Sequence, residues 1–290
     1  MGSLFNFALL VLAMLAFAGN SLLCRVALKG DAIDAASFTS VRLLSGAITL
    51  AALVWLQYRR SASPQRPTTL PGDGWSALAL FVYAAGFSFA YLSMTAATGA
   101  LLLFGAVQAT MIAWGLYQGE RMRPLQLGGF ALAVAGLTAL MLPGLATPSF
   151  GGAVAMLGAG VAWGAYSLLG RRKQAPFSAN PTAVTAGNFV RTVPMALLLS
   201  AVALPQLHLS SSGVLYAVAS GALTSGVGYA VWYRVLPTLQ ATHAATVQLS
   251  VPVIAAVGGI VLLGEAATWP MALSASAILG GIGLVIWNKA

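Results

Sequence analysis

Apolar residues run along this chain in stretches of about twenty, the length a helix needs to cross the hydrocarbon core of a bilayer. The stretches fall at residues 4–28, 35–58, 75–97, 100–118, 125–142, 150–170, 182–203, 213–236, 241–263 and 269–287. Short polar turns separate them. The longest holds Pro64-Gln65-Arg66-Pro67 and Pro71-Gly72-Asp73-Gly74, and no segment remains for a soluble domain. Residues 1–18 have the apolar character of a signal peptide but lack its basic start, and the run continues into the first span. The pattern predicts an all-α polytopic membrane protein with ten transmembrane helices.

Composition agrees with that pattern. Of 290 residues, 59% are hydrophobic and 7% charged, whereas soluble domains carry about 25% charged residues. Lipid must therefore be the solvent for most of the surface. The net charge of +9 does not indicate nucleic acid, because a nucleic-acid binder needs a continuous basic face. Here the basic residues cluster in alternate turns: Arg59, Arg60 and Arg66; Arg121 and Arg123; Arg171, Arg172 and Lys173; and Lys289 near the end. The opposite turns hold Lys29, Arg25 at their margin, and the acids Asp31 and Asp34. The positive-inside rule then places both termini in the cytoplasm (N-in, C-in) and the protein in the cell inner membrane, multi-pass. Cys24 is the sole cysteine, which excludes an intrachain disulfide and reads as a packed small residue.

The chain also repeats itself. Ser21-Leu22-Leu23-Cys24-Arg25 in the first span matches Ser167-Leu168-Leu169-Gly170-Arg171 in the sixth. Arg42 inside the second span matches Arg191 inside the seventh, and Gly119-Glu120 after the fourth matches Gly264-Glu265 after the ninth. Three matches in one order define two five-helix repeats, residues 1–146 and 147–290. An odd number of spans inverts the second relative to the first, so Glu120 is expected inside and Glu265 outside. Inverted repeats are a common architecture of secondary transporters.

These features resemble the drug/metabolite transporter superfamily, specifically the ten-helix EamA-type exporters. The resemblance spans essentially the whole chain. It rests on Ala16–Ala18 and Ala162–Gly164, on Arg42 and Arg191, on Pro252 in the ninth span, and on the paired Gly-Glu ends. The fourth span departs from the pattern, with Val107 where the ninth has Pro252. Within the superfamily the chain resembles the aromatic amino acid exporters. The resemblance implies export of small organic solutes, aromatic or neutral amino acids first among them, by alternating access through a central cavity. Export of drugs or other metabolites is the alternative, followed by a channel.

Substrate in such a fold sits near mid-membrane. By residue count that depth falls near Phe17, Phe87, Gln108, Trp163, Tyr229 and Gln248, with Asn20, Tyr91, Trp114 and Tyr166 about one turn away. Aromatic rings could stack on an amphipathic solute, and the amides could bind its amino or carboxylate group; core packing is the competing role. Arg42 and Arg191 would either bind a carboxylate or brace helix ends, and their repetition favours the brace. Glu120 and Glu265 are expected to be structural or gating, each in contact with a helix N-terminus of its own half. Pro194 should interrupt the seventh span, Gly226 and Gly228 with Pro237 and Pro252 should loosen the eighth and ninth, and Gly115-x-x-x-Gly119 and Gly160-x-x-x-Gly164 should allow close helix contact. The helix pairs three–four and eight–nine are expected to move about corners at Thr98-Gly99 and at 237–240.

Other classes find little support. Two histidines, one cysteine and no carboxylate inside a span offer no catalytic set, no metal site and no cofactor cradle, so the protein is not expected to be an enzyme. His243 alone could relay protons. The partners implied are a small-molecule substrate and the lipid bilayer; no nucleic acid is implied, and a monomeric state is compatible with the sequence.

Overall fold

A computed structural model describes residues 3–60, 71–119, 121–140, 148–173, 180–235 and 247–287. They are helical almost throughout, and a single antiparallel bridge, Ile33 with Leu209, is the one extended pairing among them. The helices are α1 (Ser3–Lys29), α2 (Ala35–Arg60), α3 (Gly74–Ala90), α4 (Ala96–Tyr117), α5 (Pro124–Leu140), α6 (Phe150–Lys173) and α7 (Pro181–Val202). They continue with α8 (Ser211–Ala219), a π-helical stretch Ser220–Val227, α9 (Gly228–Val235), α10 (Ser250–Leu263) and α11 (Trp269–Trp287). Six elements, with α8, the π stretch and α9 forming one continuous element, are long and apolar enough to cross a membrane; α3, α5, α10 and α11 are shorter apolar helices. Glu120, Pro237 and His243 lie outside the described residues.

Polar side chains set the helix starts. Asp73, Thr95, Asn180 and Ser210 each accept an amide hydrogen bond at the head of α3, α4, α7 and α8, which satisfies donors that lipid cannot. The α3–α4 corner therefore falls at 91–95, and Thr98-Gly99 lies in the first turn of α4 instead of forming the expected corner. The apolar run passes through this corner unbroken, so the Thr95 cap decides where the helix begins. Gly119 and Gly264 both end helices with positive φ, 91° and 62°, a conformation open chiefly to glycine. Gly119 thus serves a turn, and among the described residues nothing lies within 4 Å of where its Cβ would stand. Pro194 does not interrupt α7, which runs through it. Pro252 sits in the first turn of α10, where a missing amide hydrogen loses no helical bond.

The packing between helices is reciprocal. α2 lies along α7, and α5 along α11. α3 packs on α6, and α1 packs on the α8–π–α9 element; α4 packs on α6, and α1 on α10. At Gly160 an added Cβ would stand 2.6 Å from both Ala106 Cβ and the Leu103 carbonyl oxygen, and at Gly164 2.9 Å from Thr110 Cβ, so the absence of side chains lets α6 and α4 touch.

Large apolar side chains such as Leu4, Trp75, Phe150, Leu198 and Trp269 point outward, while Asn20, Arg42, Gln108, Asn188 and Glu265 are buried. That distribution suits a lipid exterior. The helix ends form two rims. One joins Arg25 to Glu265, Asp34 to the His208 amide and Ser149 to Ser93. The other joins Gln57 to Asn180 and the Asp73 amide to Asn188, and it carries Arg59, Arg60 and Arg234 in the last turns of α2 and α9.

Candidate solute-binding site

Midway between the rims, side chains from α1, α3, α4, α6, the π stretch and α9 surround a small chamber. α1 supplies Phe17, Asn20 and Ser21, and α3 supplies Tyr83 and Phe87. Leu103 and Phe104 come from α4, Trp163 from α6, Thr224 from the π stretch and Tyr229 from α9. The free volume is about 20 Å³, room for one water molecule. A solute of amino-acid size enters only if these side chains move apart.

The rings interlock. Trp163 lies 4.8 Å from Tyr83, 5.2 Å from Tyr229 and 5.4 Å from Tyr166, centroid to centroid. Phe17 meets Tyr229 edge-on at 5.7 Å, and Phe87 links Tyr83 to Tyr91. Such contacts contribute beyond area burial, and their faces offer a stacking surface once the chamber opens.

A polar network crosses this aromatic wall. Asn20 Nδ2 donates to the Tyr83 hydroxyl at 3.2 Å, and Asn20 Oδ1 accepts from Ser220 at 2.6 Å and from Thr224 at 3.4 Å. Arg42 Nη2 donates to the same Tyr83 hydroxyl at 3.1 Å, and Arg42 Nε to Ser225 at 3.3 Å. The π stretch has one extra residue per turn. That places Ser220 and Thr224 at Asn20 while Ser225 reaches Arg42.

Arg42 is 1% exposed. Its guanidinium lies 4.9 Å from the Phe87 ring centre and 5.2 Å from that of Tyr83. Nη1 is buried with no hydrogen-bond partner among the described residues. Arg191, its counterpart in the sequence repeat, is half-buried and donates to the Gly187 carbonyl of its own helix beside the turn at Gly72. Arg42 thus links α2 to α3 and the π stretch, while the Arg191 bond to Gly187 stays within α7.

Arg25 lies inside α1, about one turn before its end at Lys29. Its Nε meets Glu265 Oε1 at 3.2 Å and its Nη1 donates to the Tyr91 carbonyl at 3.0 Å. The Glu265 carboxylate also accepts from the Ala96 amide, at 2.9 Å and 3.1 Å. Lys29 donates to the Leu263 carbonyl at 3.2 Å. The pairing of Glu265 with a helix N-terminus therefore holds, but the helix is α4, not one of the second half. This latch ties α1, the α3–α4 corner and the end of α10 together at one rim.

Among the residues singled out from sequence, Phe17, Asn20, Phe87, Trp163 and Tyr229 line the chamber. Tyr91 and Tyr166 extend its ring system outward, and Asn188 donates to the Tyr166 hydroxyl at 3.3 Å. Gln108 is buried further along α4, Trp114 packs on Tyr117 toward the far end of that helix, and Gln248 is half-buried just before α10; none lines the chamber. Tyr83 and Thr224 went unrecognised. Tyr83 stands one turn before Phe87 and two before Tyr91, a spacing that puts the three rings on one face. Among the described residues no group of His, Cys, Asp and Glu is placed to hold a metal ion.

The described residues form an all-helical bundle with a lipid-compatible surface and a small central chamber, the form of a multi-pass membrane protein. Residues 150–287 match the EamA-like transporter family. Over 279 residues the chain is 54% identical to the "Uncharacterized protein PA1977" of Pseudomonas aeruginosa, covering 96% of this chain and 93% of that one. A solved structure described as "Crystal structure of protein" superposes with a TM-score of 0.64 over 96% of this chain and 99% of its own, at 20% identity, a likeness of fold. The chain thus carries an EamA-like transporter family domain over residues 150–287, nearly half of its length.

Proposed function

We propose that this protein is a secondary transporter of the cell inner membrane that exports small organic solutes, aromatic or neutral amino acids first among them, by alternating access. The observation that carries the proposal is the small chamber, walled by rings and hydroxyls and sealed at one rim by the Arg25–Glu265 latch. The rim bearing Arg59, Arg60 and Arg234 is then cytoplasmic by the positive-inside rule, and the latch faces outward. Reciprocal packing supports two inverted five-helix repeats: exchanging the roles of the halves maps α3 on α6 to the α8–π–α9 element on α1. Opening one rim while the other closes would expose the chamber to each side in turn.

The aromatic wall suits a solute with an apolar or ring-bearing body, and Asn20 with its hydroxyl neighbours suits a polar head. A panel of amino acids, amines and cationic dyes, tested for exchange in proteoliposomes on the wild type and Trp163→Ala, tests this directly. Exchange of aromatic amino acids that weakens in Trp163→Ala supports the proposal. No exchange of any solute, from protein shown to be folded, refutes it.

A further inference from the structure

Among the described residues, no carboxylate balances the charge of Arg42. Its hydrogen-bond and ring partners are the Tyr83 and Ser225 hydroxyls and the Tyr83 and Phe87 faces, and Cys24 and Tyr229 lie nearby; none is a carboxylate. The described carboxylates lie elsewhere: Asp31 is exposed, Asp34 binds the Ser37 and His208 amides, Asp73 caps α3, and Glu265 holds Arg25. A guanidinium does not shed its proton, and a buried cation in a membrane protein favours a place where an anion can meet it. Arg25 has its carboxylate and Arg191 its backbone carbonyl; Arg42 Nη1 has neither.

The geometry points to a solute carboxylate as the missing partner, and we propose that Arg42 is its receptor. The inference rests on the transport reading above. In the structure one atom, the Tyr83 hydroxyl, accepts from both Asn20 Nδ2 and Arg42 Nη2. It occupies the position that a carboxylate oxygen would take between the same two donors, and Nη1 is left over for the second oxygen. Arg–carboxylate pairs favour such two-point binding. When the chamber widens and the Tyr83 ring moves aside, a carboxylate replaces the hydroxyl and the solute's apolar body lies among Phe17, Phe87, Trp163 and Tyr229. The substrate class that follows is a small carboxylate with an apolar or aromatic body. Cationic amines without a carboxylate are rejected, because they would meet a like charge with no acid to offset it.

The test uses purified full-length protein in proteoliposomes preloaded with L-phenylalanine, with labelled L-phenylalanine outside. The competitors are 3-phenylpropanoate, which keeps the carboxylate and lacks the amine, and L-phenylalaninamide, which keeps the amine and lacks the carboxylate. The expected result is competition by 3-phenylpropanoate and none by the amide. Arg42→Gln should lower the exchange rate by a factor of about 10 to 100, the worth of a charge-assisted hydrogen bond, with Arg42→Lys intermediate. The competition arm needs the wild type alone, so a variant that fails to fold does not block the answer. Equal competition by the amide, or exchange in folded Arg42→Gln within about twofold of wild type, overturns the inference. If the protein exchanges only amines or uncharged solutes, the role of Arg42 is refuted and transport stands. If a wide panel exchanges nothing, both fall.

Discussion

Replacing Glu265 by glutamine should loosen the rim that closes the chamber. The carboxylate accepts from the Ala96 amide at 2.9 Å and 3.1 Å and from Arg25 Nε at 3.2 Å, and its side chain is 4% exposed. Glutamine keeps one oxygen for Ala96 but no longer offers the charge that Arg25 pairs with. A hydrogen bond to a charged group contributes about 1.5–3 kcal/mol, and a negative charge at a helix N-terminus adds about 0.3–1 kcal/mol. The Arg25 side chain is 14% exposed and recovers some hydration, so a net loss of about 2 kcal/mol is a fair figure; at about 1.4 kcal/mol per tenfold, the open population rises about 30-fold. The assay is built into the chain. Cys24, the sole cysteine, is fully buried one residue before Arg25, so its reaction with a maleimide reports opening around α1. Glu265→Gln should label about 30 times faster than wild type when closing outpaces reaction. Equal labelling rates in two folded proteins would refute the latch.

Three further outcomes follow from the packing and the electrostatics. Trp163→Ala removes a ring in contact with Tyr83, Tyr166 and Tyr229; it should destabilise the protein by about 3–5 kcal/mol in detergent unfolding, and a loss under 1 kcal/mol would show that the ring cluster is loosely packed. Gly160→Val should wedge α6 from α4 and lose about 1–3 kcal/mol, whereas Gly151→Ala, where an added Cβ meets nothing within 4 Å, should be neutral; equal effects would contradict the close contact. Burial pushes the Asp34 carboxyl up, but hydrogen bonds from Ser37 and from the Ser37, His208 and Ala36 amides outweigh it and hold its pKa below the usual value. A depressed folded-state pKa stabilises above the unfolded value of about 3.9 and is lost as pH falls through the folded one. Asp34→Asn should therefore flatten the acid limb of a stability–pH curve below about pH 4, and an unchanged limb would rule the group out.

The helices were largely readable from the sequence because lipid imposes length and apolarity on a span, and six described elements are long and apolar enough to cross a membrane. Counting residues along the runs sets Phe17, Asn20, Phe87, Trp163 and Tyr229 at one level, and these five line one chamber. Facing was harder. α4 is buried all round from Ala96 to Gln108, so its pattern does not say which side meets the chamber, and Gln108 at the right depth does not line it. Tyr83 was passed over although its spacing to Phe87 and Tyr91 marks one face of α3. Contacts between distant positions left no local trace. Arg25 and Glu265 are 240 residues apart, and Arg42 reaches Ser225 across 183. The π-helical stretch was signalled only by its glycines, and the different fates of Arg42 and Arg191 arise from neighbours that the repeat does not show. The Thr95 cap, by contrast, is a local signal that moves the α3–α4 corner from 98–99 to 91–95.

The most direct test of the central claim is trans-acceleration of efflux. Proteoliposomes loaded with labelled L-phenylalanine are diluted into buffer with or without unlabelled L-phenylalanine, and the rate of label loss is compared. A carrier whose chamber opens to one side at a time turns over faster when its return step is loaded, so efflux should quicken severalfold with solute outside. An efflux rate that does not depend on outside solute, or one equal to that of protein-free vesicles, would contradict alternating access through this chamber.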